Sequence, residues 1–302
     1  MKELVSVIMS TYNENESQLS TSIESILNQS YEKLEFIIVN DNPKNEQLGA
    51  LLAKYAQLDK RIVIVENPQN MGLVNSLNRA LSYTKGDYIA RMDADDISRP
   101  ERLQLQLQYM KENRLDFVGG YAHFINEEGS SLGHIMKAPA TNEQICRAVR
   151  WGNCIPHPTW FVRKEVYEKL GGYRHIPHAE DFDFILRALK TNFRFGNVPC
   201  VVLDYRIRSS GISVSNGVEQ NLVRYYLTEN RQKITEITEE MVAERIADRQ
   251  NPYYLYHSKA DKMKRAIKNK NLFEIGICGC RLVMDKYFWL WFVEKIRYRL
   301  SK

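Results

Sequence analysis

Three aspartates, Asp93, Asp95 and Asp96, fall within four positions of the stretch ARMDADDISRP, residues 90–100. Carboxylates this close repel one another and resist burial unless a positive group joins them. An Asp-Ala-Asp spacing in an extended loop turns alternate side chains to one side. That arrangement holds a hard divalent cation and, through it, a diphosphate. The plainer reading of the fragment alone is a solvated acidic turn with an aspartate as helix cap. A second acidic pair, Glu180 and Asp181, opens HAEDFDFILRALK (178–190). Its apolar positions 182, 185, 186 and 189 follow helical spacing, and the helix dipole favours negative charge at its start.

The elements that must position these groups alternate in type. LVSVIMS (4–10), LEFIIVN (34–40), RIVIVE (61–66) and GDYIARM (86–92) are apolar and β-branched, and each reads as a buried strand. Helical stretches follow from about Ser17 to Asn28, through Tyr55, and from Leu73 to Ser82. Strand–helix alternation at this spacing predicts an α/β fold with a mainly parallel sheet covered by helices on both faces. Ligands bind such sheets outside the carboxyl ends of the strands. Thr11-Tyr12-Asn13-Glu14, Asn40-Asp41-Asn42, Asn67 to Gly72 and the acidic loop all fall at those ends. Pro100 stands as the first residue of a helix over Glu101 to Asn113, and Asp96 is a candidate cap for it.

Further on, 116–126 reads as a strand and bend, and Glu127 to Ser130 as a turn. A short helix follows at 141–150, then PTWFVR (158–163) as a strand. The helix Lys164 to Leu170 is closed by Gly171-Gly172, VVLDYRIR (201–208) is a strand, and SSGISVSNG (209–217) is a polar loop. From about Glu219 the chain reads as mostly helical.

The 302 residues suffice for one large α/β domain with an appendage, and 44% hydrophobic with 26% charged residues excludes a disordered or fibrous chain. No signal peptide or membrane span is read from the sequence. Five cysteines without zinc-type pairs fit a reduced, cytoplasmic protein, and Cys278-Gly279-Cys280 reads as helix packing. Of the net charge of +5, the part from Arg231 onward carries 16 Lys or Arg against 9 Asp or Glu, which leaves residues 1–230 at −2. A Rossmann dehydrogenase would need GxGxxG after the first strand, where TYNENE stands instead, and a Walker lysine motif is absent.

The fragments SVIMSTYNEN, SILNQSYEKLEFIIVNDN, NMGLVNSLNRAL, GDYIARMDADDISRPERL and HPTWFVRKEVYEKLGGYRHIPHAEDFDFILRAL, spread over residues 4 to about 215, resemble bacterial family 2 glycosyltransferases of GT-A fold. These are the enzymes that build capsule, O-antigen and other surface polysaccharides. The resemblance implies a GT-A αβα sandwich over 1–217, with a nucleotide-sugar half to about 98 and an acceptor half over 99–217. A helical region over 218–302 completes the chain.

The resemblance also implies roles. Thr11, Tyr12, Glu14, Asn70 and Asp93 would bind the donor nucleotide, and Asp41 would accept the uracil N3–H. Asn40 replaces the first of two acids usual in the family. Asp95 would hold Mn²⁺ or Mg²⁺, and Asp181 would be the catalytic base of an inverting transfer, with Glu180 or Asp183 as alternatives. Glu180, His157, Arg206 and Arg208 are candidates for diphosphate or acceptor contacts, the arginines standing where many relatives place a His. His178 is structural or acceptor-lining. The QxxRW motif of processive synthases is absent, which implies transfer of one hexose or N-acetylhexosamine from a UDP-sugar to a glycan or polyprenyl-diphosphate-linked acceptor.

The tail KYFWLWFVEKIRYRLSK (286–302) mixes aromatics with cations, as an amphipathic helix on an anionic membrane would, or a helix packed on its neighbours or on a second subunit. The expected location is the inner face of the plasma membrane. A nucleic-acid surface is the weakest reading of the charge. Two rivals remain: a nucleotidyltransferase, which would show a glycine-rich basic motif after the first strand, and a non-catalytic, membrane-associated sugar-nucleotide-binding subunit.

Overall fold

The structure is a computed structural model that describes residues 3–208 and 217–268, together with 277, 279, 282–290 and 292. The chain divides into two compact units: Met1–His175 with Glu180–Gly211, and Ile176–Ala179 with Ile212–Lys302.

The first unit is built on a nine-stranded sheet. Strands β1 (Val5–Thr11), β2 (Leu34–Asn40), β3 (Ile62–Glu66) and β4 (Tyr88–Asp93) are parallel, in the order β3-β2-β1-β4. β1 and β2 are buried along almost their whole length because helices cover both faces, so they read as continuous apolar runs. Helix α1 (Glu16–Leu27) starts where the Asn15 side chain accepts from Ser17 N, and α2 (Glu46–Leu58) where Asn45 accepts from Leu48 N. α3 is Gly72–Tyr83. The chain proceeds outward from β1 to β3 and then returns to place β4 on β1's other side, which makes the β1–β4 boundary the switch point. In register, Ser10 faces Asp93, Thr11 faces Asn40, and Asn40 faces Glu66. The polar clusters therefore end level with one another.

The other half of the sheet is mixed, unlike the four strands before it. After the two-residue β5 (Ile97–Ser98) and α4 (Arg102–Glu112) come β6 (Phe117–Ile125) and β7 (Ser131–Met136), an antiparallel hairpin. α5 (Asn142–Ala148), β8 (Phe161–Arg163), α6 (Lys164–Leu170), α7 (Glu180–Ala188) and β9 (Phe195–Arg206) follow. β8 runs antiparallel to β4 and β6, while β9 lies parallel to β6.

Several boundaries differ from the sequence expectation. Pro100 precedes α4, whose cap position is Glu101. PTWFVR is only half strand, its first two residues belonging to the 3-10 turn His157–Thr159 and its last three to β8. β9 begins at Phe195 because a register shift between Val198 and Val201 absorbs Pro199, which has no N–H for the ladder. At Gly119 the backbone passes so close to its neighbours that a Cβ would stand 2.3 Å from Asn197 Oδ1 and 2.4 Å from Ile155 Cγ2.

The second unit contains α8 (Gly217–Glu229), α9 (Glu239–Ala247), capped by Thr238, and α10 (Pro252–Lys268). Leu222, Tyr253, Tyr256, Leu282 and Tyr287 form its apolar cluster, with the Tyr253 and Tyr287 rings 5.1 Å apart edge to face. Among the described residues no helix is long and apolar enough to cross a membrane. Residues 209–216, Cys278, Cys280 and 293–302 lie outside the described residues, and with them the 209–216 loop and most of the tail helix read from the sequence.

Candidate active site

The turn after β1 folds back on itself. Glu14 Oε2 accepts from Thr11 Oγ1 at 2.6 Å and from Tyr12 N at 2.8 Å. Tyr12 is 43% exposed, so its ring is no part of the core and stands free to meet a ligand. Asn42 donates to the Tyr12 carbonyl at 3.1 Å and takes its own place from Asn40, whose Oδ1 accepts from Asn42 N.

Asp41 is buried and braces the loop ahead of α3. Its Oδ1 accepts from Asn67 Nδ2 and Met71 N, both at 2.7 Å, and its Oδ2 accepts from Gly72 N at 2.9 Å. Asn70 Oδ1 shares the Gly72 N–H at 3.0 Å. Gly72 has φ +79, which suits glycine and lets its N–H turn towards both side chains. A carboxylate has about four acceptor sites, so Asp41 keeps one on Oδ2 for a further donor.

The acidic loop is only partly neutralised. Arg91, buried and two residues upstream of Asp93 on β4, pairs its guanidinium with both Asp93 oxygens. Arg208 Nε donates to Asp95 Oδ2 at 2.7 Å. Asp96 is buried; its Oδ1 accepts from Arg206 N at 2.8 Å, and its Oδ2 has no hydrogen-bond partner among the described residues. Burial, then the charge of Asp93, pushes Asp95 up to about 6. Burial and both neighbouring aspartates push Asp96 well above the usual carboxylate range. Asp96 is thus no helix cap; it ties the loop to the end of β9.

Arg206 is also a brace. Its Nε donates to the Asp95 carbonyl at 2.7 Å and its Nη1 to the carbonyls of Asn126 and Glu127. These bonds bind its guanidinium to backbone oxygens, whereas Arg208 meets the carboxylate of Asp95.

Asp181 lies in the first turn of α7. Its Oδ2 accepts from Asn153 Nδ2 and its Oδ1 from Phe182 N, both at 2.6 Å. Burial raises its pKa, and these two hydrogen bonds act against the rise. Burial and the charge of Asp181 push Glu180 up to about 7. Asp183 is fully buried between Arg174 and Arg187, with Arg187 Nε at 2.8 Å, so it is not available as a base. The Arg91 charge acts on Asp181 and Glu180 as well as on Asp93, and Asp93 acts on Glu180, which places the two acidic groups in one electrostatic neighbourhood.

His157 is buried, with Nε2 2.9 Å from Tyr173 Oη and its ring 4.4 Å from that of Trp160; burial and Arg91 hold it well below the usual histidine value, hence neutral. In this structure its ring packs between Trp160 and Tyr173. His178 adopts φ +62 and pairs with Glu219 at 3.5 Å.

Arg91 and Asn153 were not singled out in the sequence, and Asn67 stood there only as the start of a polar loop. Arg91 was legible, because residues two apart on a strand share a face. Asn153 carries no local signal.

Among the described residues no three His, Cys, Asp or Glu side chains form a ready-made metal cluster. A Mg²⁺-like ion bound to a nucleotide commonly takes one or two carboxylates plus phosphate oxygens. Asp93 and Asp95, each paired here with one arginine at the end of β4, are carboxylates of the kind such a cation takes, whereas Asp96 is buried and held towards its neutral form and adds no charge.

A mainly parallel sheet with carboxylates gathered at its ends, extended by a mixed half and C-terminal helices, is the GT-A fold of nucleotide-sugar glycosyltransferases. A mannosyltransferase from Pyrobaculum calidifontis, solved with GDP-Man and Mn²⁺, aligns with a TM-score of 0.61 at 18% identity over 95% of this chain and 82% of its own. TarS from S. aureus, solved with UDP-GlcNAc, aligns at 0.58 and 18% identity over 83% of this chain and 75% of its own.

The chain belongs to glycosyl transferase family 2, whose domain matches residues 6–171. An uncharacterized glycosyltransferase from Methanocaldococcus jannaschii is 36% identical over 74% of this chain and 78% of its own length. The O-antigen biosynthesis glycosyltransferase WbnJ of Escherichia coli is 34% identical over 77% and 91%. The amylovoran biosynthesis glycosyltransferase AmsE of Erwinia amylovora is 31% identical over 71% and 80%. The protein is a glycosyltransferase enzyme, and the nucleotidyltransferase and non-catalytic readings fall away.

Proposed function

We propose that this enzyme moves one hexose or N-acetylhexosamine from a UDP-sugar, with inversion, to a hydroxyl of a glycan or polyprenyl-diphosphate-linked acceptor in surface polysaccharide biosynthesis. The observation that carries the reading is the common neighbourhood of Asp93 and Asp181 around the buried Arg91. One carboxylate group belongs to the donor side and the other to the acceptor side of a single displacement.

On the donor side, Thr11, Tyr12 and Glu14 would flank the base and ribose with Asn70 and Asp93, and Asp41 would use its remaining acceptor site for the uracil N3–H. Asp95, with Asp93 beside it, would hold Mn²⁺ or Mg²⁺. When bound, that cation supplies Lewis-acid charge to the diphosphate. Arg208, 31% exposed, can turn from Asp95 to the diphosphate oxygens, where a guanidinium makes charge-assisted hydrogen bonds. On the acceptor side, Asp181 takes the hydroxyl proton as that oxygen bonds to the anomeric carbon and the bond to the diphosphate breaks. Glu180, beside it, would contact the acceptor.

The names of the O-antigen and amylovoran relatives support the biosynthetic role. The UDP-GlcNAc and GDP-Man of the solved structures support a sugar-nucleotide donor. For the inner membrane face, support comes from exposed Trp289 and Phe292 in a basic C-terminal part. Flotation with anionic vesicles tests that placement, and failure to float would favour packing on a second subunit.

The test of the function is nucleotide release from a panel of UDP- and GDP-sugars with Mn²⁺, where slow hydrolysis reports the donor without its acceptor. One UDP-sugar turning over supports the reading. Turnover of a GDP-sugar alone would overturn the uridine assignment at Asp41.

A further inference from the structure

Asn153 lies in a loop far from α7 in sequence, yet its amide reaches the carboxylate of Asp181. The amide's orientation is settled from its other end: Asn153 Oδ1 accepts from Ile155 N at 2.9 Å, so the NH₂ group must be the end that faces Asp181 Oδ2 at 2.6 Å. Gly152 sets up this delivery. Closing the 3-10 turn Val149–Trp151, it adopts φ 142 and ψ −176, a region essentially restricted to glycine, and the chain leaves the turn with Asn153 exposed. A residue held only as a packing strut would be covered. Asn153 is open to solvent beside the proposed base.

From this geometry, we propose that Asn153 is the positioning residue of Asp181. Its amide fixes the direction in which the carboxylate faces and, with Phe182 N on the other oxygen, leaves the remaining lone pairs for the acceptor hydroxyl. The inference rests on the reading of Asp181 as the base. Of the charged groups around it, Arg91 on β4 acts on Asp181, while Asp181 and Asp93 both act on Glu180, the neighbouring residue on α7.

A role confined to the loop is separable from this one. Asn153→Asp keeps an oxygen for Ile155 N but replaces the donor at Asp181 with a like charge, whereas Asn153→Ala removes both contacts. The experiment follows the Asp181 carboxyl resonance by ¹³C NMR across pH in the whole protein, assigned by its loss in Asp181→Asn. Losing a hydrogen bond to an ionised group shifts its midpoint upward by about one pH unit or more. We expect that shift in Asn153→Ala and a larger one in Asn153→Asp, with the low-pH limb of kcat/KM moving in step and KM for the donor unchanged. An Asp181 midpoint that is the same in Asn153→Asp as in the wild type would overturn the proposal. Failure of the underlying reading shows elsewhere, as turnover that survives in Asp181→Asn.

Discussion

Arg208 Nε donates to Asp95 Oδ2 over 2.7 Å, which pairs a residue two positions past β9 with the loop that closes β4. The cation stands against the carboxylate we assign to the metal, so it both relieves the acidic loop and lies within reach of a diphosphate. Arg208→Ala removes a charge-assisted contact worth about 1.5–3 kcal/mol, or roughly tenfold or more in affinity. Titration calorimetry with UDP and Mn²⁺ is expected to show that weakening, while unchanged UDP affinity would take Arg208 out of the donor site.

The same loop has a pH signature. Asp95 is pushed from 3.8 up to about 6, so the folded protein holds this proton more tightly than the unfolded chain does. Ionising Asp95 therefore costs stability, progressively from about pH 4 to about pH 6 and fully above that. The cost is at most about 3 kcal/mol. In the absence of divalent cations, Asp95→Asn should melt higher than the wild type at pH 7 and level with it near pH 4. A lower Tm for Asp95→Asn at pH 7 would contradict this.

How much of this was legible follows from where each signal resides. β1 to β4 announced themselves because strands covered on both faces are continuous apolar runs, whereas the caps Asn15 and Asn45 went unread and the helix starts were left approximate. β8 and β9 were both read as strands but with displaced bounds, β8 because it has only three residues and β9 because Pro199 interrupts its pattern. The carboxylates of the site were legible from type and spacing together with the family resemblance. Their partners were not: Asn153 is 28 residues from Asp181 and Arg206 is 110 from Asp96, and nothing local records either contact.

Asp183 tests the scaffold under the base. It is fully buried between Arg174 and Arg187 on the face of α7 that packs inward. Removing one partner from a buried pair leaves an uncompensated charge and costs about 3–5 kcal/mol. Asp183→Asn should lower the urea midpoint accordingly. An unchanged midpoint would mean that the arginines find other partners.

Gly119 tests the packing between β6 and the loop that bears Asn153. A methyl group there would meet Asn197 Oδ1 at 2.3 Å and Ile155 Cγ2 at 2.4 Å. Overpacking of this kind costs about 1–3 kcal/mol. Gly119→Ala should be less stable by that amount in chemical denaturation, and a wild-type stability would show that Ile155 yields without strain.

In the proposed reaction Asp95 serves the donor and Asp181 the chemistry. The most direct measurement compares Mn²⁺-dependent UDP binding and UDP-sugar turnover in Asp95→Ala and Asp181→Asn. A positioned general base contributes about 10²–10⁴ in rate. Asp181→Asn should bind UDP as the wild type does and lose turnover by that factor, while Asp95→Ala should lose both Mn²⁺-dependent binding and turnover. Wild-type turnover in Asp181→Asn, or Mn²⁺-dependent UDP binding intact in Asp95→Ala, would contradict that division of roles.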